Sequence, residues 1–328
     1  MRSFPRFVRC ALLAATALVC CVAMPALGQD WPTKPIRVVS PYAAGGVGDT
    51  LFRIIAPQLE TRLGQRFVID NRPGANGHIG IQETIRSAPD GYTVVMAPTA
   101  NFAVNQHLFR DLPFDAIAQL DPIATVADAP LVAIVTPPTP ARTLQELADY
   151  ARANPGKLNY GSPGTGSPAH LAGAFFSQLT GNALVYVPYK GTPPMIQALL
   201  ANDIQAIFPT LPGVVALVKA GKLRALAVMA KERLAEIPEV PSAVEAGFGE
   251  LVSGNWWVLA APRGTDPRIV NRFAAEIRTA LADPGVVKRF AEIGHVPVGH
   301  GPAESAAFIR AESARWRQIV ERGGIKPE

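Results

Sequence analysis

The sequence predicts two α/β domains, each a parallel or mixed sheet covered by helices on both faces. Three observations carry this. Short β-branched runs alternate with segments of helical period along nearly the whole chain, the pattern of strand–helix units rather than of a bundle or a sandwich. The 328 residues exceed what one ordinary core serves, and one sheet holding every strand would be unusually wide. No Ser/Gly-rich linker divides the chain, so it is expected to cross between domains in short ordered strands, near 123–135 and again near 240–258. Such crossings permit hinge closure.

Residues 1–28 read as a secretory signal. Arg2, Arg6 and Arg9 precede an uncharged run from Cys10 to Met24, and Ala26 and Gly28 place small residues where a signal peptidase cuts. A retained membrane anchor is the alternative, but the run is short and Pro25 breaks it. Acylation of Cys20 or Cys21 is a second alternative; Val19 and Cys20 stand where a small residue is expected. Cleavage near Gly28 removes all three cysteines and three of the 31 basic residues. Basic and acidic residues then nearly balance. The formal charge of +5 is therefore an export signal and not a nucleic-acid surface. The mature protein is expected to be soluble and exported.

Within the mature chain, 36–40 predicts a strand followed by the turn-rich stretch 41–48. Leu51, Ile54, Ile55, Leu59 and Leu63 then share one helical face, with Asp49 or Thr50 as its cap. Further strands are expected at 67–69, 93–97, 158–161, 184–187, 204–208 and 223–229, and helices at 144–154, 168–179 and 195–201. Ile269, Phe273, Ile277 and Leu281 form another helical face; Ile309, Trp316, Ile319 and Val320 form a last one, interrupted by Glu312. Trp256 and Trp257 are neighbours in a strand, so at most one can face a cleft.

Two glycine-rich strand-to-helix turns carry the chemistry. The first runs through Tyr42, Ala43, Ala44, Gly45, Gly46, Val47 and Asp49; the second through Ser162, Gly164, Thr165, Gly166, Ser167 and His170. Glycines let backbone N–H groups turn into a concavity, and a helix N-terminus adds partial positive charge. Together these suit a carboxylate or phosphate without any cationic side chain. One such turn in each domain could grip one anion from two sides. His170 either touches that ligand or ties its loop down by a hydrogen bond. Gly164-x-Gly166-x-x-Ala169 matches a relaxed dinucleotide fingerprint, but no acidic residue follows the next strand to hold a ribose. No cofactor is expected. Nucleophile-elbow, zincin and Walker motifs are missing from the sequence, so no catalytic residue is assigned. The five histidines, His78, His107, His170, His295 and His300, lack metal-ligand spacing, and no metal site is expected.

Motifs along residues 30–328 carry a family resemblance. They are Trp31-Pro32-Thr33-Lys34-Pro35-Ile36, Pro41-Tyr42-Ala43-Ala44-Gly45-Gly46-x-x-Asp49, Asn71-Arg72-Pro73-Gly74-Ala75-Asn76-Gly77, Ala88-Pro89-Asp90-Gly91-Tyr92-Thr93, Asn154-Pro155-Gly156-Lys157-Leu158-Asn159-Tyr160, Val187-Pro188-Tyr189-Lys190-Gly191 and the stretch 220–228. In that order they resemble the substrate-binding proteins of tripartite tricarboxylate transporters, the Bug or TctC-type family. The resemblance implies a two-lobed periplasmic binding protein fold of the Venus-flytrap, type II-like kind. Lobe 1 would comprise 29–125 plus 245–328, and lobe 2 residues 126–244. It implies a monomeric receptor that binds a small organic carboxylate and delivers it to inner-membrane large and small transporter subunits. It adds Thr99, Ala100 and Asn101 to the cleft, and it adds Pro209 and Thr210, where many members carry Asp-Asn. That replacement removes a charge and points to a ligand without an ammonium group. The turn at 71–77 is expected to be structural and outside the site. The other classes considered are a ligand sensor for a membrane signalling system and an exported hydrolase or isomerase using Asp49 and His170.

Overall fold

The computed structural model describes residues 31–181 and 183–322; the expected signal peptide, with Cys10, Cys20 and Cys21, lies outside the described residues. The first strands and helices follow the predicted alternation: β1 (Ile36–Ser40), α1 (Val47–Leu63), β2 (Phe67–Asn71), α2 (His78–Ile85) and β3 (Thr93–Pro98). After helical turns over 100–119 come β4 (Leu120–Asp128) and β5 (Val132–Val135). The middle of the chain holds α3 (Leu144–Ala153), β6 (Leu158–Ser162), α4 (Pro168–Leu179), β7 (Leu184–Pro188), α5 (Thr192–Leu200), β8 (Ala206–Ile207) and β9 (Arg224–Val228). It closes with β10 (Trp257–Pro262), α6 (Pro267–Leu281), α7 (Pro284–Glu292), β11 (Val296–His300) and α8 (Pro302–Arg322).

These strands form two mixed sheets, one ordered β11-β4-β10-β3-β1-β2 and one ordered β7-β6-β8-β5-β9. Each sheet repeats one plan. A parallel trio, β2-β1-β3 or β7-β6-β8, is flanked by one antiparallel strand, β10 or β5, that enters from the other lobe. The chain changes sheet at 129–131 and returns at 253–256, within the stretches 123–135 and 240–258; Leu251 still packs with the core of the second sheet. The two crossing segments run side by side. Asn255 N–H donates to the Ala129 carbonyl at 3.0 Å, Ala129 N–H to the Asn255 carbonyl at 3.3 Å, and Pro130 bridges Gly254.

Helices cover both faces of each sheet, as the alternation requires. The predicted face of α1, Leu51, Ile54, Ile55, Leu59 and Leu63, is buried against Phe273 and Ile277 of α6 and Phe290 of α7. On the opposite face, Phe102 packs with Ile309, Trp316 and Ile319 of α8. Each fully buried side chain of this kind contributes about 1.5–3 kcal/mol. Trp257, the first residue of β10, and Trp256 just before it pack into the cores on opposite sides of the sheet and are both buried, so neither lines open cleft. Glu312 sits on the buried side of α8 because it has partners there: it accepts from Trp256 Nε1 at 3.3 Å and from Arg315 at 2.9 Å.

Three expectations need correction. α1 begins at Val47 with Gly46 as its N-cap, so Asp49 lies inside the first turn rather than before it. The strand expected at 204–208 is only Ala206–Ile207. The strand β11, not expected at all, contains Pro297 and is tolerated because it is the sheet edge.

Candidate functional site: an amide-lined cleft at the crossing strands

The carboxyl ends of the parallel strands in both sheets meet at the crossing. Past β3, Thr99 N–H donates to the Trp256 carbonyl at 2.8 Å, and past β8 the Pro209 carbonyl accepts from Val132 N–H at 2.8 Å. β1 runs parallel to β3, and β6 to β8. The loops that leave β1, β3, β6 and β8 therefore border one cleft, the usual place for a ligand in open α/β sheets.

In the first loop, Gly46 N–H donates to the Ala43 carbonyl at 3.0 Å, closing a turn that aims α1 into the cleft. Asp49 is buried, accepts from Gly45 N–H at 3.0 Å, and takes two bonds from Arg53 at 2.9 and 3.0 Å. Arg53 holds the Asp49 carboxyl below its ordinary range, so the buried charge is paired and does not repel an incoming anion. The glycine amides expected to grip the ligand are thus partly used by the loop itself. The amides of Ala44, Val47, Gly48 and Asp49 find no acceptor among the described residues. The helix start presses on the core: a side chain at Gly48 would reach within 2.5 Å of the Trp257 ring. Ala43 and Ala44 are exposed, and Val47 stands 42 % exposed at the mouth of the cleft.

The second loop is built the same way with different pieces. Gly164 N–H donates to Ser162 Oγ at 3.3 Å, and Gly166 N–H to His170 Nδ1 at 3.1 Å. Ser167 caps α4 by accepting from His170 N–H at 3.2 Å, while its hydroxyl donates to the Gly164 carbonyl at 2.8 Å. Thr165 is exposed, and the amides of Thr165 and Ala169 have no acceptor among the described residues. As in the first loop, the glycines of the turn, here Gly164 and Gly166, spend their amides inside it, and neighbouring residues keep theirs.

His170 resolves to the second of its two expected roles. It is buried, its ring lies tilted against Tyr186 with centroids 4.0 Å apart, and its Nδ1 is an acceptor inside its own loop. The ring proton therefore resides on Nε2. Burial pushes its pKa down to about 4, so the ring is neutral at working pH. Two outcomes are expected. His170→Ala leaves the Gly166 N–H without its acceptor and should cost about 1–3 kcal/mol in urea melts. Because its folded pKa lies below the unfolded value, wild-type stability from this group is complete above about pH 6.5 and falls as pH drops towards 4, and the variant should lack that part of the fall. A binding midpoint near pH 6.5 that vanishes in the variant would instead put a charged His170 on the ligand.

Thr99 and Asn101 are turned inward. Thr99 Oγ1 accepts from Trp256 N–H at 2.9 Å and donates to the Trp256 carbonyl at 3.2 Å. Asn101 accepts from Tyr42 Oη at 3.1 Å and donates to the Asn76 carbonyl at 3.0 Å, while Asn71 donates to the Tyr42 carbonyl at 3.1 Å. Burial raises the Tyr42 phenol to about 12, so it stays a neutral donor. These residues brace the first loop, and the turn at 71–77 backs it from behind. Ala100, half-buried, opens the following helical turn. Pro209 and Thr210 do face a cavity of about 160 Å³ with Ser167. That cavity also takes Thr192, Met195, Leu131 and Asn255, which sequence reasoning missed. Thr192 follows the Val187–Gly191 motif and opens a helix, a usable signal; nothing local marks Asn255.

Asp49 and His170 are each committed to their own loops, so they form no acid–base pair. Two lobes joined by paired crossing strands, closing on loops of unengaged amides, define a solute-binding receptor. The chain belongs to the TctC family, described as tripartite tricarboxylate transporter family receptor, whose model matches residues 51–325. It is a receptor of that family and not an enzyme. Protein BugT of Bordetella pertussis is 35% identical over 306 residues, covering 93% of this chain and 94% of that one. Among solved structures, R. palustris Rpa4515 with adipate has a TM-score of 0.75 at 33% identity, covering 91% of this chain and 100% of that one. A TctC solute binding protein from Polaromonas has a TM-score of 0.81 at 28% identity, over 89% and 99%.

Proposed function

We propose that the protein is exported to the periplasm with cleavage near Gly28, captures a small organic carboxylate in its cleft, and delivers it to the large and small membrane subunits of a tripartite tricarboxylate-type transporter. One observation carries this: both glycine-rich loops leave their helix N-termini with unengaged amides at the same cleft, and neither loop brings an unpaired cation. Such a clasp stabilises one carboxylate through dipoles and N–H groups once closure excludes water. The adipate held by the R. palustris protein supports the same ligand class.

The proposed lobes are the two sheets with their helices, and closure turns about the paired segments at 129–131 and 253–256. Binding shifts the open–closed balance because both loops contact the anion only when closed. The receptor works as a monomer and meets the transporter through its lobe surfaces; among the described residues no helix is long and apolar enough to cross a membrane.

A thermal-shift and calorimetry screen of mature protein against mono-, di-, tri- and aromatic carboxylates tests the proposal. A carboxylate at 100 times its Kd should add about 2.7 kcal/mol. Stabilisation by amines or sugars, with none by any carboxylate, would refute it. Uptake of the bound acid by cells should require this chain and the membrane subunits together.

A further inference from the structure

The cavity beside the second loop has a composition that narrows the ligand. None of the residues lining its roughly 160 Å³ carries a charge. Leu131, Met195 and Pro209 supply hydrocarbon, and Thr192, Thr210 and Asn255 supply neutral hydrogen-bonding groups. Lys190, two residues before Thr192, is exposed and outside the lining.

The helix that points at this cavity is also poor in donors. Thr192 is the first residue of α5, and Pro193 and Pro194 follow it. A helix start leaves four N–H groups without intrahelical partners. Here Gly191 N–H is spent on the Pro163 carbonyl at 3.1 Å, and Pro193 and Pro194 have no N–H to give. The start of α1 differs: Val47, Gly48 and Asp49 all keep their amides. The start of α1 is therefore fitted for an anion and the start of α5 is not.

We infer that the ligand is a monoanion: a single carboxylate held at the two glycine loops, with an uncharged far end, hydrocarbon or neutral polar, seated in the Thr192–Thr210–Asn255 cavity. A second carboxylate in that cavity would meet no cation on its lining, and the one intact helix N-terminus there, that of α4 through Ala169, is already engaged by the first carboxylate, so its desolvation would be poorly offset. The inference rests on carboxylate capture as proposed above.

The test compares acids matched in shape at pH 7.5 by calorimetry: hexanoate with adipate, and benzoate with terephthalate. In whichever pair binds, the monoanion should be at least tenfold tighter. Thr210→Arg, and independently Thr192→Lys, should shrink or invert that ratio by supplying a cation; circular-dichroism melts show which variant is folded. Equal or tighter binding of the dianion by wild type overturns the inference and leaves carboxylate capture standing. A wild-type preference that neither folded variant alters overturns the cavity assignment. If no carboxylate of any kind binds, carboxylate capture itself is wrong and the inference goes with it.

Discussion

Gly166→Val should lower carboxylate affinity at least ~100-fold and leave a folded protein. Gly166 sits at φ +78°, which a β-branched residue adopts only with strain. An added Cβ there would also collide with Leu108 Cδ1, on the facing lobe. Either the loop withdraws, taking the Thr165 and Ala169 amides out of line, or the lobes stop short of closure. Both outcomes remove the amides from the anion, whose binding depends on close, aligned donors. Gly46→Val is the companion, acting by another route. Its backbone is extended at φ −66°, ψ 167°, so it is not strained, but a Cβ would come within 2.9 Å of the Ala43 carbonyl and open the turn that aims α1. Adding Leu108→Ala should relieve the steric part of a Gly166→Ala defect but not its backbone part. Normal affinity in both valine variants would mean that the two loops do not hold the ligand.

Asp128→Asn should stabilise the protein by about 2 kcal/mol at pH 8, with the gain fading as pH falls towards 4. Asp128 closes β4 immediately before the first crossing segment, and its Oδ1 is buried without a hydrogen-bond partner. Burial, reinforced by nearby Glu312 and partly opposed by Arg315, raises its pKa from 3.8 to about 7. The sign follows from proton binding. Between pH 4 and 7 the unfolded chain releases this proton and the folded chain keeps it, so the aspartate's contribution is full below pH 4 and lost as pH rises through 7. Asparagine keeps the shape without the charge and escapes that loss. Denaturant melts of both proteins from pH 4 to pH 8 check it, and parallel stability curves would show that Asp128 is ionised at no cost. The same acid at the hinge means that ligand affinity should be compared only at fixed pH.

Much of the fold was legible because it is locally encoded. The apolar spacing of α1 needs only a helix with one face against a sheet, and Leu51, Ile55 and Leu59 are all wholly buried. β6 to α4 was legible from Gly164, Gly166, Ser167 and Pro168, each suited to its turn or cap. Elements defined by partners were not. β11 carries Pro297 and Gly299 and becomes a strand because β4 offers it an edge. Glu312 breaks the pattern of α8 because its partners, Trp256 and Arg315, include a residue far away in sequence.

The site divides along the same line. By itself the sequence determined that two glycine-rich loops precede helices in two α/β halves, because turn geometry and capping are properties of a few consecutive residues. Only the tertiary structure decided which of their amides are left unengaged. Gly45, Gly46, Gly164 and Gly166 spend their amides on Asp49, Ala43, Ser162 and His170, leaving those of Ala44, Val47, Gly48, Asp49, Thr165 and Ala169 without an acceptor among the described residues. It also decided that Thr192 and Asn255 share a cavity with Thr210. A hydrogen-bond donor has a single proton to give, and whether an internal acceptor has already claimed it depends on distances that no spacing along the chain contains.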